Sequence, residues 1–448
     1  MIKTRFIEEI IKDNKEGNEQ VHGWIIGKRK SKNYIFLDIK DSTGVIQVVL
    51  NKKKNVNEDI DYIKNLKLNS AVSVTGAYNN SRNQPEIIAS FYKIEKEATL
   101  NLQPNPSNPL LNPFNENFIK HLTKHPTFYI SNRKLATVLK IKSRFRHNLA
   151  SWFWSNKYVQ MEPPEFTNQT LYDDNGAFWI NLNGQKISLS RCATFHLEPG
   201  IIAYEKVFCI TETHANEMSR SKRHLAEFTH LKAELAWANL EDLMSIAGKM
   251  LYETVRQTVS DCQKEIEILG LGNIIEDKIN RLNPKNYKII SYDDAIELIK
   301  KKGKSFDYGK SLSNKDEEIL TLAHNNSLLW IKFIPCTAEG FPFKRKNDTP
   351  HLTMVSDLIA PGGFGEILGI AEKITDYDEL LSRMKEKGKD TPEQLERYKD
   401  YLDLRKCGLP EHGGIGMGIE RVVRFLLDLK HVRYTRPFPV IHKTKINF

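Results

Sequence analysis

Gly413-Gly414-Ile415-Gly416-Met417-Gly418-Ile419-Glu420-Arg421-Val422-Val423 is the stretch on which the reading of this chain turns. Glycines remove side chains where a flat group must approach a backbone. The apolar run that follows reads as a helix from Glu420 to Asp428. Arg421 then stands at a helix start, as a fixed cation suited to a polyphosphate. The plainer alternative is a glycine-rich strand-to-helix turn with a surface arginine.

The 448 residues suggest two to four domains at about 100–200 residues each, enough to build cores without disulfide or metal staples. Hydrophobic residues make up 40% and charged residues 27%, which excludes a wholly disordered, collagenous or coiled-coil chain. No run of about 18 uncharged apolar residues exists, so no transmembrane helix is expected. Met1 to Glu9 carries acids and lacks an apolar centre, so neither a signal nor a transit peptide is expected. Cys192, Cys209, Cys262, Cys336 and Cys407 are scattered without a Cys-x-x-Cys pair. This pattern argues for reduced thiols in a cytoplasm and against a structural zinc site. A net charge of +10 favours a polyanionic partner such as nucleic acid, although lysine-rich solvated faces are common.

The first hundred residues read as β. Gln20–Ile26 is a strand ending near Gly27. Tyr34–Ile39 and Val45–Leu50 form a hairpin about Asp41-Ser42-Thr43-Gly44, and Ala71–Gly76 and Glu86–Tyr92 complete the set. Five short strands with a helix between Asp59 and Leu66 suit a small barrel of the OB type. Residues 99–128, rich in Asn and Pro, read as a linker. Beyond it helices and strands alternate. Helices are expected over Arg133–Asn156, Glu241–Glu267 and Asp293–Lys302, and strands over Val207–Thr211, Phe228–Glu234, Ile331–Ile334 and His351–Leu358. The domains are therefore 1–98, the linker 99–128, and 129–448.

Several segments in one order carry a resemblance. Gly413–Val423 resembles motif three of the class II aminoacyl-tRNA synthetases, where ATP lies on a glycine-rich strand. Tyr158–Thr167 resembles motif one, which ends in a proline and builds a dimer interface. Arg223-His224-Leu225-Ala226-Glu227-Phe228 to Glu234 resembles the second half of motif two. Asp357-Leu358-Ile359-Ala360-Pro361 with Gly365-Glu366-Ile367-Leu368-Gly369 resembles the acidic segment that holds Mg–ATP. Tyr401-Leu402-Asp403-Leu404-Arg405-Lys406, leading to His412-Gly413-Gly414, is similar to the asparaginyl branch more than the aspartyl one. Order and spacing agree from about residue 20 to residue 439.

The resemblance implies an α+β architecture: an anticodon-binding OB barrel and a catalytic domain with an antiparallel sheet flanked by helices. It implies a homodimer through the Tyr158–Pro164 region. The implied reaction joins an amino acid, asparagine or a close analogue, to ATP as the aminoacyl-adenylate and passes it to tRNA, with Mg²⁺ as the metal. The implied catalytic residues are Arg421, His224 and Glu217. Glu217, Arg223, His224, Glu366, Gly416, Gly418 and Arg421 would contact ATP, with Arg421 and His224 at the γ-phosphate and Glu217 at the adenine amino group. Asp357 and Glu366 would hold Mg²⁺. Glu198, Lys373 and Arg405 would bind the amino acid. Phe36 would stack on an anticodon base that Gln47 hydrogen-bonds, with Glu86 as a third contact. Asp357 and Glu366 as surface turn acids, and Phe36 as a barrel core residue, are the plainer readings.

The sequence departs from the family at the reactive end. Motif two should open with Phe-Arg-x-Glu but reads His214-Ala215-Asn216-Glu217, so the α-phosphate arginine is Ala215, and Arg220, Lys222 or Arg223 are the candidate replacements. The arginine that reads the substrate side chain is Lys373, which cannot make a planar two-pronged contact. The counterpart of Gly-Gln-Leu-x-Leu-Glu is either Gly184-Gln185 with an insertion or Ala193-Thr194-Phe195-His196-Leu197-Glu198. Val440 stands where a terminal arginine is usual. An intact frame with an altered site leaves two alternatives beside tRNA charging. One is a paralogue forming an amide or other small-molecule product from the adenylate, and the other is an RNA-binding pseudo-synthetase. The Ile274–Ser313 insertion reads as a peripheral element whose lysines face tRNA or solvent.

Overall fold

The computed structural model describes every residue except 1, 2, 4, 53–59, 82, 83, 100–129, 131, 173, 218, 220 and 442–448, so the expected linker lies almost wholly outside the described residues. The chain divides into two compact units, Met1–Asn112 and Pro113–Phe448.

In the first unit β1 (Gly17–Lys30), β2 (Tyr34–Lys40), β3 (Val45–Asn51), β4 (Ala71–Asn79) and β5 (Glu86–Lys96) close into a barrel in the order β1-β2-β3-β5-β4. Alternation sends Ile35, Leu37 and Ile39 into the core and turns Tyr34, Phe36 and Asp38 outward. β1 is twice the length expected from sequence. Its first half pairs with β4 and its second with β2, and Gly27 marks a bulge rather than the strand end. At Gly23 and Gly76 an added Cβ would lie 2.4 Å from the Lys40 carbonyl oxygen and 2.2 Å from that of Ile88, so only glycine lets the strands approach there. A helix unforeseen in the sequence, Ile7–Asp13, buries Ile7 and Ile10 in the barrel core.

The second unit is built on eight strands in the order β12-β13-β16-β17-β18-β11-β10-β6. From the edge these are β12 (Lys288–Ser291), β13 (Leu329–Lys332), β16 (Val355–Ala360), β17 (Gly365–Glu372), β18 (His412–Gly418), β11 (Glu227–Ala236), β10 (Lys206–His214) and β6 (Val159–Gln160). Pairing is antiparallel through the centre, but β12 runs parallel to β13 and β6 to β10, so the sheet is mixed rather than wholly antiparallel. Helices Arg133–Ser155, Leu240–Asp261 and Ile419–Leu426 pack together and against one face. A smaller sheet joins β7 (Phe166–Thr167), β8 (Trp179–Leu182) and β9 (Gln185–Leu189), and β14 (Arg345–Lys346) pairs with β15 (Thr349–Thr353).

Four expected elements are corrected. The helix from Glu241 breaks at Cys262, where φ −119° leaves the helical region, and a new helix starts at Gln263. The strand read as His351–Leu358 is divided between β15 and β16, which lie in different sheets. β13 ends at Lys332 because Phe333 adopts φ 65°. The Ile274–Ser313 insertion is not peripheral: it supplies edge strand β12 and helix Tyr292–Lys301, and its Tyr292, Ser311 and Leu312 reach the central cavity.

Candidate active site

A cavity of about 520 Å³ opens on the sheet face opposite the helices. β11 supplies Phe228, His230, Lys232 and Glu234 to it, while Leu231, Ala233 and Leu235 turn into the core. The partner positions on β18 are glycines: His230 opposes Gly418, Lys232 opposes Gly416 and Glu234 opposes Gly414. A Cβ at Gly414 would lie 2.6 Å from both Glu234 carboxylate oxygens, and one at Gly416 would lie 2.5 Å from Lys232 Nζ. The glycine motif thus makes room for β11 side chains that fold over its backbone. On the next strands Gly416 pairs with Gly369, and Gly369 with Asp357, so the middle of the floor is glycine backbone over which Lys232 Nζ and Asp357 Oδ1 reach, 2.5 and 2.9 Å from where a Cβ would stand.

At one end Arg421 donates to Glu366 Oε2 and to its carbonyl, both at 3.1 Å, and Arg223 pairs with buried Glu317 at 2.7 Å. Carboxyls crowd here. Burial and then Glu366 push the Asp357 carboxyl well above its ordinary range and that of Glu339 up to about 8. Burial takes Glu317 up to about 7 despite Arg223. Glu366 feels the same burial, but Arg421 and Arg223 hold it below the usual carboxylate value. His224 Nδ1 lies 2.5 Å from Ser221 Oγ, and burial followed by the Arg421 charge lowers it to about 4. Its Nε2 is 3.9 Å from Glu217, which accepts a hydrogen bond from Arg191 at 3.1 Å.

At the other end Lys373, 3% exposed, lies 3.6 Å from Glu234 Oε1 and 3.9 Å from Glu198. Glu234 accepts a 3.1 Å hydrogen bond from Thr194, but its buried Oε2 has no donor among the described residues. Burial, and then the Glu198 charge set against that of Lys373, raises its carboxyl. Glu198 and Arg405 do not line the cavity. They form a buried cluster behind Lys373, in which Glu198 accepts from Tyr401 and from Arg405, each at 2.7 Å. Burial alone would raise Glu198, but Arg405, His412 and Lys373 hold it well below the carboxylate range.

The segment Ala193–Glu198 borders the cavity through Thr194, whereas Gly184 sits in the exposed β8–β9 hairpin turn at φ 83°. Ala215 lines the cavity and carries no charge. Of its proposed replacements, Arg220 lies outside the described residues, Lys222 is not among the lining residues and Arg223 is paired with Glu317. Val440 contributes its carbonyl, which accepts from the Ala226 amide at 2.9 Å. Sequence reading missed Arg191, Lys232, Glu234, Glu317 and Glu339. For Lys232 and Glu234 the available signal was their alternation along the Phe228–Glu234 strand, whereas their glycine partners are set by strand pairing.

On the barrel, Gln47 donates to Glu86 at 3.0 Å and accepts from Arg29 at 2.7 Å. The Arg29 guanidinium lies 5.9 Å from the Phe36 ring centroid and 3.7 Å from Asp38. The three expected residues therefore form one outward patch, joined by an arginine that sequence reading did not single out.

Residues 120–442 match the family described as tRNA synthetases class II (D, K and N), and residues 20–95 match OB-fold nucleic acid binding domains. The chain is similar to the asparagine–tRNA ligase of Pyrococcus furiosus, at 30% identity over 443 residues covering 98% of each chain. It is similar to that of Thermoplasma acidophilum at 29% over 429 residues, covering 95% of this chain and 96% of the relative. Among solved structures it resembles asparaginyl-tRNA synthetase from Pyrococcus horikoshii complexed with asparaginyl-adenylate. That likeness has a TM-score of 0.89 and 28% identity and covers 98% of both chains.

Proposed function

This chain belongs to the class II tRNA synthetases of the D, K and N group, and from that membership we propose that it activates asparagine with ATP and transfers the acyl group to tRNA. In the first step an asparagine carboxylate oxygen attacks the α-phosphorus, and the bond to the β-phosphate oxygen breaks to release pyrophosphate. In the second, a tRNA 3′-terminal hydroxyl takes the acyl group and AMP leaves. Such displacement relies on positioning and charge neutralisation, not on a covalent nucleophile of the enzyme.

One observation carries the assignment of the amino-acid end: the buried Glu234 Oε2, an acceptor without a donor among the described residues, beside Lys373. A substrate bearing both N–H donors and an acceptor oxygen satisfies the pair, and asparagine has both. Arg421 and His224 contact the γ-phosphate at the opposite end, the glycine floor at Gly416 and Gly418 takes the nucleotide, and Glu217 accepts from the adenine amino group. Glu198 and Arg405 act from behind the wall by fixing Lys373. Asp357 and Glu366 are hard oxygen donors, but among the described residues no three acidic, His or Cys side chains group closely enough to hold a metal, so the two would hold Mg²⁺ only together with phosphate oxygens and water. The metal would neutralise phosphate charge when bound.

Phe36, Gln47, Glu86 and Arg29 form the anticodon contact, which favours an RNA acceptor over a small-molecule product. Val159 and Trp154, exposed at edge strand β6 and at the end of the adjoining helix, support a homodimer through Tyr158–Pro164. Among the described residues no helix is long and apolar enough to cross a membrane, and we place the activity in the cytoplasm. ATP–pyrophosphate exchange with a panel of amino acids, with and without tRNA, tests the reading. Exchange that depends on asparagine supports it, exchange with another acid replaces the substrate, and no exchange under any condition refutes it.

A further inference from the structure

We propose that Lys232 is the catalytic cation at the reacting centre, contacting the attacking carboxylate and the α-phosphate where position 215 offers no charge. The inference rests on the adenylate-forming reading above. The described cations lining the cavity are Arg191, Arg223, Lys232, Lys373 and Arg421. Four of them face a carboxylate within 4 Å: Arg191 faces Glu217, Arg223 faces Glu317, Lys373 faces Glu234 and Arg421 faces Glu366. Lys232 forms no ion pair with a described residue. An ammonium inside a cavity without a counter-ion is the group an incoming anion meets first.

Its position selects the anion. Along β11 and β18 the pair His230–Gly418 lies toward Arg421, and Glu234–Gly414 lies toward Lys373. Lys232–Gly416 is the row between them, about 7 Å from each at the rise of a strand. The Lys232 ammonium bends over the Gly416 backbone, 2.5 Å from where a Cβ would stand. The carboxylate joins the α-phosphorus at the junction of the triphosphate and amino-acid ends, and the oxygens there carry the developing negative charge. The carboxylate oxygen forms its bond to phosphorus, the bond to the pyrophosphate oxygen breaks with its electron pair, and no proton moves. A fixed positive point charge lowers the barrier to this step without taking part in bonding.

The test compares Lys232→Ala and Lys232→Arg with Ala215→Arg in the Lys232→Ala background. For pyrophosphate exchange we expect Lys232→Ala to lower kcat by about 10²–10³. KM for ATP should rise by no more than AMP affinity falls, about tenfold, because the Arg421 end is untouched. Lys232→Arg should retain part of the rate. Ala215→Arg should recover at least about tenfold by delivering the charge from the other wall. Calorimetry with AMP and adenosine needs no turnover: Lys232→Ala should weaken AMP at least about tenfold and leave adenosine unchanged. Exchange within about threefold of the parent protein, or equal losses of AMP and adenosine, would overturn the assignment. So would a loss carried by Arg191→Ala instead. If the parent protein catalyses no exchange, the functional reading fails, and the AMP–adenosine comparison still decides the role of Lys232.

Discussion

Replacing Gly414 by alanine discriminates between a glycine needed for space and one that is merely convenient. Gly414 is absent from the positions of positive φ, so a side chain there meets no backbone strain. Space is the obstacle. The new methyl would lie 2.6 Å from both oxygens of Glu234 and 2.7 Å from its carboxyl carbon, whereas ordinary contact begins at about 3.4 Å, so the carboxylate must retreat about 0.8 Å. Glu234 is 1% exposed and held by Thr194 and Lys373, so it has little room to do so. Overpacking of this kind costs about 1–3 kcal/mol, or about 5- to 150-fold in an equilibrium. In exchange kinetics KM for asparagine should rise by that factor, while KM for ATP stays within about threefold. Gly418→Ala is the counterpart at the other end. Its nearest protein neighbour is Arg421 Cδ at 3.5 Å, an ordinary contact, so the methyl meets only the nucleotide lying on this floor: KM for ATP should rise and KM for asparagine should stay within about twofold. A Gly418→Ala loss in asparagine KM as large as that of Gly414→Ala, or a Gly414→Ala effect confined to ATP, would refute the assignment of the two ends.

Other parts of the molecule give further tests. Phe36→Ala should weaken tRNA binding by about 1–3 kcal/mol and leave tRNA-independent exchange unchanged; filter binding beside exchange reads both. Glu198→Gln leaves Arg405 buried beside a neutral partner, and thermal or urea unfolding should show a loss of about 3–5 kcal/mol. The histidines predict an acid limit. His224 is lowered to about 4, His431 to about 3 and His230 well below its ordinary value, in each case first by burial. Because the folded values lie below the unfolded one, their contribution to stability is complete above about pH 6.5 and is lost as pH falls toward 4. Melting temperature should therefore drop between pH 6.5 and 4.5, and His431→Gln should flatten that slope.

Much of the frame was legible because periodicity and burial coincide. Ile35, Leu37 and Ile39 alternate with polar residues and do fill the barrel core, and the glycine strand with its following helix lies where the motif placed it. The failures have local causes. Gly27 looks like a strand terminus but accommodates a bulge within a strand serving two neighbours. Met354 separates two strands that local pattern runs together, because sheet membership is a tertiary property. In the site, the family resemblance pointed to Arg421, Glu366 and Asp357, and the three line one cavity. It could not tell that Glu198 and Arg405 stand behind the cavity wall, since burial of a charged pair depends on what packs over it. Nor could it place the Lys232 ammonium over Gly416, because that contact joins strands nearly two hundred residues apart.

The most direct test of the account is charging of tRNA(Asn) by the purified protein, followed with labelled asparagine and, in parallel, aspartate. The account predicts asparaginyl-tRNA formed in an ATP-dependent reaction, with aspartate a poor substrate and with Phe36→Ala losing charging while it keeps exchange. Asparagine-dependent exchange without any acyl-tRNA product would contradict it and turn the chain into an adenylate-forming enzyme with a different acceptor.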